Sequence, residues 1–301
     1  MNCPQPVLPG GRGTEQETTM LAHWNLARHP FVDDPETPYF HPAAAHVQAL
    51  NRLQYLAESG TMRFGFLSGD NGTGKSAALR QACAHAARNP RIIPVPFDHP
   101  LMGVRDFLEL LTGHFDRHAS RARFTAKTST LPTGGEMTVF EELLHRQVLR
   151  MDRRLFVCID AAHLLDRRLA AVCALIAGMR GSADSGVSFL FAGTAQTARR
   201  LTQLPELGAR LALLCELPAF TSEETAGYID ARMAAAGYRG LSPFDAAAKT
   251  AVHELAAGIP ADINRVATLA LEQAAAFREA FVSGDTVHAA TELMLGRQAG
   301  A

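Results

Sequence analysis

Residues 69–76 read GDNGTGKS, and no other stretch of the chain restricts its folding as strongly. The octapeptide meets every fixed position of the pattern G-x-x-x-x-G-K-[ST]. It lies between an alternating run, MRFGFLSG (62–69), and an alanine-rich run with helical character, KSAALRQACAHAAR (75–88). A strand, a glycine loop and a helix in that order point backbone N–H groups at a phosphate beside a positive helix end. Gly69, Gly72 and Gly74 permit the curl. Lys75 is expected to reach the β and γ phosphates of ATP, and the Ser76 hydroxyl to ligate Mg²⁺. Asp70, Asn71, Thr73 and Ala77 complete the phosphate cradle.

The surrounding pattern extends this unit. A helix is predicted over 41–60, a strand over 91–97 whose prolines suit a sheet edge or a short strand, and helices over 102–115 and 138–154. LFVCID (155–160) reads as a buried strand ending on a carboxylate. A helix near 165–180, a strand over 187–193 and a helix over 195–203 follow. Alternation of this kind implies a parallel sheet covered on both faces, the α/β P-loop NTPase fold with three layers, αβα. Beyond Pro218 only helices are predicted. Thr221 and Glu224 have capping-box spacing, and Ser242 with Pro243 opens a second helix that stops at Gly258. The expected organisation is a loose, polar arm (1–19), an α/β domain (20–218) and a small all-α domain (219–301); Met20 could be an alternative start.

A phosphate loop needs an acid on a second strand. Asp160 fits as the Mg²⁺-side carboxylate acting through water, or as the N-cap of the turn that follows. Bulk properties narrow the setting. The net charge is −1, so any attraction to nucleic acid must be local. Five scattered cysteines without metal-ligand spacing suit a reducing, cytoplasmic environment, and no run approaches the roughly 20 apolar residues of a membrane span. The segment DRHASRARFTAK (116–127) sets Arg117, Arg121, Arg123 and Lys127 around Phe124, either a solvated loop or a grip on DNA phosphates.

Taken in order, these segments resemble an AAA+ ATPase, and more narrowly the ExeA/GspA-type secretion ATPases and their relatives, the TnsC/TniB-type transposition regulators. The resemblance spans about 20–295. SGDNGTGKS and VCIDAAHLL are similar to Walker A and Walker B segments, and FLFAGTAQTARRL to a sensor-1 strand with Thr194 at its polar position. LGARLALLCELPAF is similar to an arginine-finger segment with Arg210 at the finger, and GIPADINRVATLAL to the lid motif. The resemblance also implies Phe31 near adenine, where core packing is the other reading.

Two positions depart from the family. The glutamate that follows the Walker B aspartate and polarises water is replaced by Ala161, and the sensor-2 arginine by Ala261. Arg265, one helical turn on, could face nucleotide or solvent, and His163 is the nearest titratable substitute for the missing glutamate. The resemblance thus implies an ATP·Mg-binding AAA+ ATPase with weak hydrolysis. It would act as a homo-oligomeric switch or motor on an unidentified protein partner in a secretion or envelope-assembly system. An ATP-dependent DNA-binding regulator is the competing function.

Overall fold

A computed structural model gives the fold and describes residues 20–32, 41, 43–59, 61–115, 134–181 and 185–298. The basic run at 116–127 and the arm at 1–19 lie outside the described residues. The chain divides into two compact units, Pro42–Pro218 and a unit made of Met1–His41 with Ala219–Ala301.

In the first unit, five parallel strands stand in the order β2-β3-β4-β1-β5. They are β1 (Phe64–Ser68), β2 (Ile92–Phe97), β3 (Arg154–Ile159), β4 (Gly186–Gly193) and β5 (Leu211–Glu216). Every residue of β3 and β4 is buried, which accounts for sequences that are apolar apart from Arg154 and Ser188. β2, with Pro94 and Pro96, takes an edge, where a missing N–H costs no ladder bond. Phe64 and Phe189 face each other in register and stack with ring centroids 5.6 Å apart. Helices Val104–Phe115, Gly134–Leu144 and Arg167–Gly178 cover that face. Helices Ala44–Glu58 and Lys75–Ala86 contribute Leu53, Leu56 and Leu79 to the buried core. Gly65 lets the first of these approach, because a Cβ there would sit 2.5 Å from Leu56 Cδ2.

Two local readings change. The helix expected to run to 154 ends at Leu144, passes through a π-helical turn, His145–Leu149, and gives way to β3 at Arg154. β5 had no strand signal of its own: LALLCE lacks β-branched residues, and pairing with β1 makes it a strand.

The second unit contains helices Ser222–Ala235, Ala246–Ala256, Pro260–Ala276 and Gly284–Gln298. The Thr221–Glu224 capping box is present in both directions. The next helix is capped by Asp245, which accepts from Ala248 N at 2.6 Å, and not by Ser242. Pro243 and Phe244 instead bond alongside Val282. The stretch from residue 20, assigned by sequence to the α/β domain, groups with these helices. Trp24 Nε1 donates to Leu271 O (3.1 Å), Ala27 N to Ala236 O (2.9 Å) and Arg232 Nε to Pro30 O (2.5 Å). Phe31 is buried edge-on against Phe244, with centroids 6.1 Å apart, so core packing accounts for it.

Candidate nucleotide-binding site

Parallel strands bring their C-terminal ends to one edge of a sheet, and the turns there converge. β1 delivers the glycine loop, β3 delivers Asp160 and β4 delivers Thr194. Gly72 (φ 86°) and Gly74 (φ 94°) occupy left-handed conformations that turn the chain into helix Lys75–Ala86. Gly69 has no room for a side chain, since a Cβ would lie 2.6 Å from Thr73 Oγ1 and 2.8 Å from Leu217 O. Thr73 closes the loop on itself, its Oγ1 donating to Asp70 O at 2.9 Å. His46, buried on helix Ala44–Glu58, places Nε2 3.2 Å from Thr73 O. Nothing in the sequence around His46 points to this brace.

Lys75 folds over the loop and donates to Gly69 O (3.0 Å) and Asp70 O (2.7 Å). Half-burial holds its ammonium below the ordinary lysine pKa, against the opposing pull of Asp160 and then Asp70. A half-buried cation resting on carbonyls has a gain to make from an arriving phosphate. Ser76 Oγ donates directly to Asp160 Oδ2. Asp160 Oδ1 accepts from Ala161 N at 2.8 Å, so the carboxylate shapes its own turn while facing the loop. The hydroxyl and carboxylate are oxygen donors of the kind Mg²⁺ takes, and their meeting at the N-terminus of the loop helix fits that ion.

Ala161 sits at φ 47°, ψ 42°, left-handed backbone that a side chain adopts at a cost. It opens the short 3₁₀ turn Ala162–Leu164. Arg200 Nη2 spans this turn, donating to Ala162 O (2.9 Å) and Leu165 O (3.2 Å). Thr194 caps helix Ala195–Thr202 by accepting from Thr197 N (3.3 Å), and it lines a cavity shared with Asn71 and His163. Loop, Asp160 turn and Thr194 are therefore brought together.

Arg210 is not. The register pairs Phe64 with Leu211, which puts Arg210 at the N-terminal edge of the sheet. About 16 Å of β1 separates that edge from the loop, at ~3.3 Å per residue. Arg210 Nη1 donates to Ala174 O at 2.9 Å. Arg265 lies in the helical unit, exposed and paired with Asp262 at 2.9 Å; Ala261 is exposed in the first turn of the same helix. No cluster of His, Cys, Asp or Glu among the described residues could hold a metal by itself, and no described helix is long and apolar enough to cross a membrane.

Residues 58–201 match the model of a family described as "AAA domain". The sequence matches no curated protein. Among solved structures, the chain is similar to the Aeropyrum pernix ORC2 protein in ADPNP–ADP complexes, with a TM-score of 0.61 at 13% identity over 88% of this chain and 71% of that one. The Aeropyrum pernix ORC1 protein in complex with DNA gives 0.61 at 16% identity, over 88% and 68%. Cdc6p from Pyrobaculum aerophilum gives 0.58 at 15% identity, over 87% and 70%. The fold is that of a P-loop NTPase, a parallel αβα layer with helices following it in the chain.

Proposed function

We propose that this chain, an AAA+ P-loop protein in fold, binds ATP with Mg²⁺ and works as a nucleotide-dependent oligomeric switch that turns ATP over slowly. The observation that carries the reading is the direct bond between Ser76 and Asp160, beside a position occupied by Ala161. Binding needs the loop amides, Lys75, Ser76 and Asp160, and the bonds of Lys75 to Gly69 O and of Ser76 to Asp160 support that reading. Mg²⁺ held at Ser76 and Asp160 would neutralise charge on the phosphates. Water activation needs a carboxylate or an equivalent, and a methyl group offers none.

Arg210 supports oligomerisation. From the far edge of its own sheet it can act only on a nucleotide held by another copy, as a finger in trans. The Ala174 carbonyl is its partner within the chain. Titration of ATP into the purified protein, alongside phosphate release, tests the reading. Tight binding with turnover far below one per second supports it, whereas vigorous turnover by the wild type removes the switch.

For the setting, DNA has the more specific support: two of the structures this chain resembles are described as bound to DNA. A secretion or envelope-assembly role rests on the sequence resemblance alone. DNA affinity measured with and without ATP over a salt series separates them. A steep fall with salt marks phosphate contacts, and no binding at low salt excludes DNA.

A further inference from the structure

We propose that Arg199 and His163 read the terminal phosphate of the bound nucleotide. The inference rests on the reading that the loop at 69–76 binds ATP. A cavity of about 600 Å³ lies beside that loop, and Asn71, His163, Thr194, Gln196, Arg199 and Arg200 are on its wall.

The helix that follows β4 builds much of this wall. Gln196, Arg199, Arg200 and Gln203 recur at i, i+3, i+4 and i+7, one stripe of helix Ala195–Thr202 and its cap, while Leu201 is buried on the other side. A polar stripe of a surface helix ordinarily meets water. Here it closes a concavity whose other walls are the glycine loop and the turn after Asp160.

Arg200 ties two of those walls together through the carbonyls of Ala162 and Leu165. That bond fixes the turn carrying His163 against the helix carrying Arg199. Arg199 has no ion-pair partner among the described residues, and the cavity lining includes no carboxylate. Two guanidinium groups without an acid make an electropositive recess, and the imidazole adds a hydrogen-bonding group. A guanidinium fork suits phosphate oxygens, and such charge-assisted bonds strengthen with the charge they meet. The recess therefore favours a triphosphate over a diphosphate.

The test compares affinities for a non-hydrolysable triphosphate, ADPNP, and for ADP, both with Mg²⁺, by calorimetry on the full chain. Wild type is set beside Arg199→Ala, Arg199→Lys and His163→Ala. Arg199→Ala is expected to weaken ADPNP about tenfold and leave ADP within about twofold, with Arg199→Lys keeping part of the preference. His163→Ala is expected to weaken ADPNP about threefold, the size of one neutral hydrogen bond. Should Arg199→Ala fail to fold, Arg199→Gln carries the same comparison. Equal losses for both nucleotides, or no loss for either while the wild type binds both, overturn the proposal and leave nucleotide binding standing. A wild type that binds neither nucleotide overturns both readings.

Discussion

Ser76 donates its hydroxyl hydrogen directly to Asp160 Oδ2, joining the glycine loop to the end of β3 across 84 positions of sequence. The bond brings the two oxygen donors to one place. Asp160→Asn removes one charge and keeps the shape, so Mg²⁺-dependent ATP affinity should fall by about tenfold or more. Affinity measured in chelator should change little. Equal affinities for variant and wild type with Mg²⁺ present would count against the metal assignment.

Ala161 allows a gain-of-function test. Its φ of 47° already carries the cost of a Cβ in left-handed backbone, so Ala161→Glu adds a carboxylate with little further strain. Turnover should rise about 10²-fold or more, within the range a general base contributes. Steady-state phosphate release checks it. Ala161→Gly should raise stability by about 1 kcal/mol, seen as a higher melting temperature.

Lys75→Met should abolish ATP binding in calorimetry while leaving the fold intact. The sign of its pH effect follows from burial. A folded-state pKa below the unfolded value means the unfolded chain holds the proton to higher pH. The wild type should therefore gain stability as pH rises through the folded lysine pKa toward the unfolded one, and Lys75→Met should lack that gain. Denaturant midpoints in alkaline buffers would reveal identical slopes if the half-buried ammonium carries no such cost.

Arg210→Ala should leave the nucleotide affinity of the isolated chain unchanged, because Arg210 stands at the opposite edge of the sheet from the loop. ATP-dependent assembly should be lost. Light scattering behind gel filtration, with and without ATP, reads both states. Assembly that survives the substitution would make the Ala174 carbonyl the whole of Arg210's role.

Gly258 tests the helical unit independently. It sits at φ 71°, and a Cβ there would meet Phe220 O at 2.2 Å, while Phe220 N donates to Gly258 O at 2.8 Å. Gly258→Ala should cost about 2 kcal/mol or more, from strain and a lost hydrogen bond together. A melting temperature within one degree of wild type would contradict the packing.

Some features were legible because short-range chemistry fixes them. GDNGTGKS requires a turn of glycines, and the turn needs a strand before it and a helix after it. The apolar runs of β3 and β4 marked them as strands, and the prolines of β2 suited the edge it takes. The capping box at Thr221 was a local exchange between side chain and backbone, so it survived intact. Other features depended on partners far away in the chain. β5 is a strand because β1 is there to pair with it. Asp245 outcompeted Ser242 as a cap because Val282 draws Pro243 and Phe244 into a bridge. Trp24 and Phe31 belong to the helical unit because Leu271 and Phe244 receive them there.

The sequence by itself determined that residues 69–76 fit the pattern G-x-x-x-x-G-K-[ST], that an apolar run ends on Asp160, and that Ala161 follows it. Those facts are residue identities at fixed spacing, and no folding event can alter them. Only the tertiary structure decided what surrounds them. It put Ser76 against Asp160, placed Arg210 at the far edge of the sheet, and set Arg199 and His163 on the wall of a cavity beside Asn71. Each of these juxtapositions follows from strand order and register, which bring distant segments together and are not written in any local pattern.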